Sequence, residues 1–296
     1  MRPVDIQRTP VLGVGVSAVN LRSAVDTAMA WIDRRERHYV TLTGVHGVIE
    51  ARDDPAFRRT LNGAGLTLPD GMPLVWLSWL AGRSQVTRVY GPDFTLALSE
   101  AMARAGKSAF YYGGVPGVAE RLAATLARRF PGLITAGVYC PPFRALTPAE
   151  EAHVAARING SRADVVWVGL STPKQERWMS LMRDRLDAPV LIGVGAAFDF
   201  LSGRVRQAPP WMQRSGLEWL YRLGQEPRRL WRRYLRNNPR FVYLVACERL
   251  GVLRVDPVEG PPAPPAEVRG PDVAPESAAA AGDPPPERES HVPLYR

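Results

Sequence analysis

Val165 to Trp178 reads VVWVGLSTPKQERW. Four apolar residues run into Gly169, a polar turn follows, and Pro173 opens a segment whose charged and aromatic residues suit a helix. This is the pattern of a strand buried on both faces, delivering a Ser-Thr-Pro-Lys-Gln-Glu cluster at its carboxyl end, where open α/β sheets hold their ligands. A second unit follows directly: PVLIGVGAAFDFLSG, Pro189 to Gly203, has Gly193 and Gly195 at its turn and Asp199 just beyond. Two neighbouring strand ends carrying polar side chains predict a ligand crevice.

Working outward, strand character recurs over Pro10–Val19, His38–Thr43, Leu66–Leu68, Ser108–Tyr112 and Leu133–Cys140. Asn20 caps a first helix with Leu21, Ala24, Val25, Ala28 and Ile32 at helical spacing. Helical segments are expected over Val45–Arg52, Pro55–Asn62, Pro92–Ala105 and Pro116–Arg129, and after Thr147-Pro148, where Thr147 and Glu150 form a capping box. Pro73–Leu80 (PLVWLSWL) is apolar on nearly all sides and is expected to be a buried helix. Strands alternating with helices over residues 1–203 predict a doubly wound, mostly parallel Rossmann-like α/β core. Gly216–Leu250 lacks a strand signal, and Pro227 and Pro239 are expected to divide it into about three helices. The pattern already changes at Arg204, which sets off residues 204–250 as one segment. That segment carries eleven arginines against Glu218, Glu226 and Glu248, so it reads as a basic helical appendage. Residues 251–296, rich in Pro and Ala with almost no aromatics, cannot bury a core and are expected to be disordered.

The 296 residues are 46% hydrophobic, ample for a globular core, and carry a net charge of +9. Asp256 to Arg296 holds eight acids and three arginines, a net −5, so the first 255 residues carry +14. Such basicity suits an anionic partner: nucleic acid, a membrane surface or a phosphorylated substrate. Only two lysines occur, Lys107 and Lys174, and a GC-rich genome explains the arginine bias as well as function does. Cys140 and Cys247 lie far apart without CxxC spacing, which fits a reduced, cytosolic protein without structural zinc. No apolar run approaches the roughly 18–20 residues that span a bilayer, so any membrane contact is expected to be peripheral. No HxxxH, CxxC or Asp-x-Asp pair is present, and metal-free chemistry is expected.

Asp70 in LPDGMP sits at a strand end, where it is either a turn aspartate before glycine or a general base beside the crevice. Gly113-Gly114-Val115-Pro116-Gly117 lacks the GxGxxG spacing of a dinucleotide site and reads more simply as a tight strand-to-helix turn. Lys174, Gln175 and Glu176 occupy the first helical turn after Gly169, where backbone amides suit a diphosphate or sugar. Arg222, Arg229 and Arg232 share a helical face if the break at Pro227 is mild, and a solvated basic face is the alternative.

Six segments together resemble the WecG/TagA/CpsF bacterial glycosyltransferases: PDG at 69–71, RVYGPDF at 88–94, VGLSTPKQERW at 168–178, GVGAAFDFLSG at 193–203, RQAPPWMQRSGLEWLYRL at 206–223 and EPRRLWRRY at 226–234. The resemblance runs in order from about residue 11 to 245. It implies metal-independent, inverting transfer of a hexose-type sugar from a UDP-sugar to a polyprenyl-diphosphate-linked saccharide at the cytoplasmic face of the membrane, in exopolysaccharide or other surface-polymer synthesis. By the same resemblance Asp70 is the base, Arg88, Gln175 and Asp199 contact substrate, and Arg222, Arg229 and Arg232 close over the site. The family's Thr-x-Asn is here Thr41-Leu42-Thr43, so Thr41 and Thr43 are the candidate sugar or acceptor contacts, with one hydrogen-bonding group fewer than an amide supplies. No cofactor is expected, and homo-oligomerisation is left open. The basic core has two other readings: a nucleic-acid-binding module, for which any recognisable motif is lacking, and a nicotinamide-dependent oxidoreductase, for which the glycine fingerprint is lacking.

Overall fold

A computed structural model describes residues 6–255 and Val258. The chain enters through an antiparallel hairpin of β1 (Arg8–Val11) and β2 (Val14–Ser17), rather than the single strand expected through Val19. The turn residues Leu12 and Gly13 have φ of 49° and 86°, the left-handed pair that a tight two-residue hairpin needs. Leu12 is fully buried, so packing offsets the backbone cost. The run is apolar on both faces, and that pattern does not distinguish a strand that continues from one that folds back.

There follow α1 (Leu21–Arg34), β3 (His38–Thr43), α2 (Val45–Asp53), α3 (Pro55–Asn62), β4 (Leu66–Pro69), α4 (Met72–Leu80), α5 (Gly91–Arg104), β5 (Ser108–Gly113), α6 (Val118–Arg129), β6 (Ile134–Tyr139), α7 (Pro148–Gly160), β7 (Val165–Gly169), α8 (Lys174–Met182), β8 (Val190–Gly193) and α9 (Ala197–Leu201). Asn20 and Thr147 each make a reciprocal capping box, with Ser23 and Glu150 respectively. The six-stranded sheet has the order β4-β3-β8-β7-β5-β6, and every pairing is parallel.

Alternation along the strands explains why both faces are covered. Val165 and Trp167 of β7 join Ala109 and Tyr111 of β5 in a core with α1, α5, α6 and α9. Val166 and Val168 join Phe110 and Tyr112 in a second core with α7 and α8. The uninterrupted apolar run is therefore the signature of a strand with no wet face. Gly113 is fixed by close approach: with φ of 117°, a Cβ there would lie 2.7 Å from the Gly169 carbonyl oxygen. The connection out of β8, α9, packs into the first core, while α3, reached from β3, packs beside α8 on the other face. The carboxyl ends of β3 and β8 thus border a crevice of the kind that holds ligands in open α/β sheets.

Two elements differ from expectation. α4 buries only Leu74, Val75 and Ser78, leaving Trp76, Trp79 and Leu80 at 43%, 46% and 70% exposure. It follows the edge strand β4 and packs on the hairpin strand β1, so half of its surface has no sheet to cover it. After α9 the described residues form α10 (Pro210–Arg214), α11 (Glu218–Gln225) and α12 (Pro227–Arg249). Pro227 opens α12 as a favourable first-turn proline, but Pro239 lies inside it without ending it. Leu230, Asn237 and Phe241 are buried on either side of that proline, and packing against α2 holds the axis where propensity alone favours a break. The expected disordered tail, apart from residues 251–255 and Val258, lies outside the described residues.

Candidate active site

Thr43 ends β3 in register with Pro69 at the end of β4. One residue on, the Asp70 N–H donates to the Thr43 carbonyl over 3.0 Å. Parallel pairing thereby delivers Asp70 just beyond the sheet, into a cavity of about 790 Å³ bounded by Thr43, His46, Arg88, α4, α11 and α12. Cavities of roughly 300–1,000 Å³ are the usual size for small-molecule sites. The Asp70 side chain is 35% exposed and opens on this cavity, while its Oδ1 is enclosed without a hydrogen-bond partner. Loss of water around the carboxylate pushes its pKa up to about 6; Arg88 and Arg222 oppose the rise and Glu218 adds to it.

Arg88 is held on every side. Its Nε donates to the Asp70 carbonyl over 2.5 Å, Nη1 to the Gln213 carbonyl over 3.3 Å, and Nη2 to the Glu218 carboxylate over 2.5 Å. The guanidinium also lies 4.2 Å from the Tyr90 ring centroid. Asp70 Oδ1 is 3.7 Å from Nη2, so Arg88 is an internal tie between Asp70 and α11 rather than a cation waiting for substrate.

His46, on the first turn of α2, meets Asn237 of α12, with Nδ2 to Nδ1 at 2.9 Å. An amide N–H donating to Nδ1 leaves the ring proton on Nε2. Burial, and after it the charge of Arg233, lowers the His46 pKa to about 4. His46 is therefore a neutral hydrogen-bonding group on the cavity wall at physiological pH.

A second polar cluster occupies the ends of β3, β7 and β8. Thr41 pairs in register with Gly193, and Gln175 packs over Gly193 and Gly195, a Cβ on Gly193 coming within 3.1 Å of the Gln175 amide. Gln175 Nε2 and Thr172 Oγ1 both donate to the Glu176 carboxylate, at 3.0 and 2.8 Å. Glu176 is buried, and desolvation raises its pKa against those hydrogen bonds. Thr41 Oγ1, Gln175 Oε1 and Glu176 Oε2 are enclosed without a hydrogen-bond partner. Thr172 lines the cavity, so the two clusters meet at the turn between β7 and α8. Asp199, on α9, pairs with Arg204 over 2.8 Å.

Of the residues singled out from sequence, Thr43, Asp70, Arg88 and Arg222 come together on the cavity, and Thr41, Gln175 and Asp199 belong to the neighbouring strand ends. Arg222 also reaches the Phe200 ring, 5.6 Å from its centroid. Arg232 is exposed and stacks over Trp231; the Arg229 side chain falls outside what the structure describes. Arg233 is the arginine of that run on the cavity wall. Glu218, His46 and Asn237 complete the site without having been selected from sequence, while Glu176, singled out with Lys174 and Gln175, is buried and accepts from Gln175 and Thr172. The one local signal among them was Glu218, one of three acids in a stretch of eleven arginines, and it is buried. No group of three or more His, Cys, Asp or Glu suited to a metal occurs among the described residues. The chemical content of the cavity is thus two carboxylates, Asp70 and the Arg88-paired Glu218, among guanidinium groups, an arrangement that can accept a proton and stabilise a neighbouring anion.

The model of the glycosyl transferase WecG/TagA/CpsF family matches residues 9–254 of this chain. The chain is 32% identical over 215 residues to the N-acetylglucosaminyldiphosphoundecaprenol N-acetyl-beta-D-mannosaminyltransferase of Bacillus spizizenii, covering 73% of this chain and 81% of that one. It is 30% identical over 227 residues to the protein of the same name from Bacillus subtilis, covering 74% and 86%.

Proposed function

The chain belongs to the WecG/TagA/CpsF family of glycosyl transferases, and from that premise we propose that it moves a hexose-type sugar from a UDP-sugar to a polyprenyl-diphosphate-linked saccharide during synthesis of an exopolysaccharide or another surface polymer. The observation that carries this reading is the part-exposed Asp70 carboxylate, held without a direct hydrogen bond from Arg88 to its Oδ1, at the polar end of a cavity whose other end is apolar. Asp70 takes the proton of the acceptor hydroxyl as that oxygen attacks C1 of the donor sugar. The C1–O bond to UDP breaks on the opposite face, its electron pair leaves on the diphosphate, and the configuration inverts. Arg222 and Arg233, both on the cavity wall, are the groups to meet diphosphate charge, and in this reading guanidinium groups serve where other transferases use a metal. Thr41, Gln175 and Asp199 form the wall for the donor.

The relatives' names specify an acceptor in which a diphosphate joins an aminosugar to a long isoprenoid. The cavity suits such a molecule. From Asp70 and the arginines it continues between Trp76, Leu77 and Leu80 of α4 and Val242 and Val245 of α12, an apolar path for the start of a prenyl chain. No helix among the described residues is long and apolar enough to cross a membrane, so in this reading the enzyme meets its lipid from the cytoplasmic membrane surface. Incubating the chain with UDP-glucose, UDP-glucuronate or UDP-N-acetylmannosamine and a prenyl-diphosphate-linked N-acetylglucosamine tests the proposal. One donor is expected to yield a lipid-linked disaccharide and free UDP. Absence of product with every UDP-sugar, from a folded and membrane-supplied enzyme, contradicts it.

A further inference from the structure

The appendage carries eleven arginines between residues 204 and 249 and three acids. One of those acids, Glu218, is buried, at the first residue of α11. A carboxylate placed there adds negative charge beside the very group that must ionise to act as a base. Docking of α11 does not by itself require this, because a neutral amide can also accept from Arg88, though more weakly than a carboxylate.

We propose that Glu218 is a positioning residue for the transfer: delivered by α11, it holds the Arg88 guanidinium off the Asp70 carboxylate, so that the base is armed only when the appendage is docked. The inference rests on the assignment of Asp70 as the base. The geometry is asymmetric in the required sense. Arg88 Nη2 lies 2.5 Å from Glu218 and 3.7 Å from Asp70, while Nε and Nη1 are committed to backbone carbonyls. Nη2 is therefore the arm that chooses between the two acids. A guanidinium in direct contact depresses a carboxylate by roughly 1–3 pKa units, which makes it a poor proton acceptor near neutral pH. With Glu218 in place the direct hydrogen bond goes elsewhere, Asp70 Oδ1 is left without a hydrogen-bond partner, and the carboxylate, part-exposed to the cavity, keeps the basicity to take a proton from an acceptor hydroxyl.

The other charged and titratable groups around Asp70 act in opposing directions. Arg222, on the same helix as Glu218, favours the ionised base. Tyr90 and Asp93, at the start of α5, both have pKa values raised first by burial. His46 on α2 is neutral, and Arg233 on α12 shares the cavity wall. Glu218 is the one whose hydrogen bond reaches the cation that Asp70 would otherwise hold.

The test is the pH dependence of kcat/KM for the full chain, with the donor and lipid-diphosphate acceptor used by the wild type. Glu218→Gln keeps an acceptor for Arg88 but removes the charge. It is expected to move the acid limb down by about one pH unit and to lower the rate at neutral pH several-fold, since a less basic carboxylate transfers the proton less readily. Glu218→Asp, which keeps the charge, is expected to leave the acid limb at its wild-type position. Equal displacement by both variants, or a uniform loss of rate in Glu218→Gln without displacement, overturns the inference and makes the Arg88–Glu218 contact a docking contact only. Activity in Asp70→Asn overturns the underlying assignment instead, so the two failures are distinguishable.

Discussion

In the proposed reaction Asp70 must be charged to act, in surroundings that disfavour charge. Its pKa, pushed up to about 6 by burial, lies above the ordinary carboxylate value, so the folded state binds the proton more tightly than the unfolded one. By linkage, stability from this group is fully present below about pH 4 and is lost as pH rises through about 6. Asp70→Asn is accordingly expected to raise the melting temperature at pH 7.5 and to leave it unchanged at pH 4, as read by calorimetry; a lower melting temperature at pH 7.5 counts against the desolvated carboxylate. For the wild type, transfer is expected to rise as pH passes through about 6 and then to level. Asp70 was legible in sequence because it lies in a compact motif at a strand end, and Arg88 because it opens RVYGPDF, one of the segments that carry the family resemblance. His46, Glu218 and Arg233 were not, because their roles depend on which residues α11 and α12 bring against the sheet. An arginine run cannot tell by itself which of its members turns inward.

Among the elements, α12 ties the appendage to the core. Phe241 shares a core with Val48 and Ile49 of α2 and with the hairpin, while the exposed Arg240–Asp53 pair beside it contributes little. Phe241→Ala is expected to cost about 3–5 kcal/mol, read as faster amide hydrogen exchange along α12 ahead of the parallel sheet; unchanged protection of α12 would show that it is held by something else. The apolar path between α4 and α12 carries its own prediction. Leu80→Asp is expected to raise KM about 10- to 150-fold for a long-prenyl acceptor, from the loss of roughly 1.5–3 kcal/mol of side-chain burial, and to leave a short-chain acceptor unaffected; equal effects on both place the prenyl chain elsewhere. The parallel core was readable because strands such as Val165–Gly169 lack a polar face. The hairpin and the exposed side of α4 were not, since an apolar stretch states that a residue avoids water in some context and not whether that context is protein or lipid.

For the whole molecule, charge and apolar exposure coincide. Residues 1–255 carry the +14 excess, and Trp79, Leu80, Trp211, Leu220, Trp231, Leu235 and Val242 are exposed on α4 and the three appendage helices. At an anionic surface each basic residue adds about 1 kcal/mol, so co-sedimentation with anionic vesicles is expected, weakening with salt and absent with neutral vesicles. Binding that ignores lipid charge contradicts the electrostatic part of this reading. That the protein is a basic α/β chain with a helical appendage was plain from composition and periodicity. That its appendage supplies walls to the cavity is a tertiary fact that composition does not encode. The most direct test of the account is sugar transfer by Asp70→Asn to a prenyl-diphosphate-linked acceptor, with the donor the wild type uses. A loss of about 10²–10⁴-fold with UDP binding and the fold intact is the predicted result, and transfer at the wild-type rate by the folded variant would contradict it.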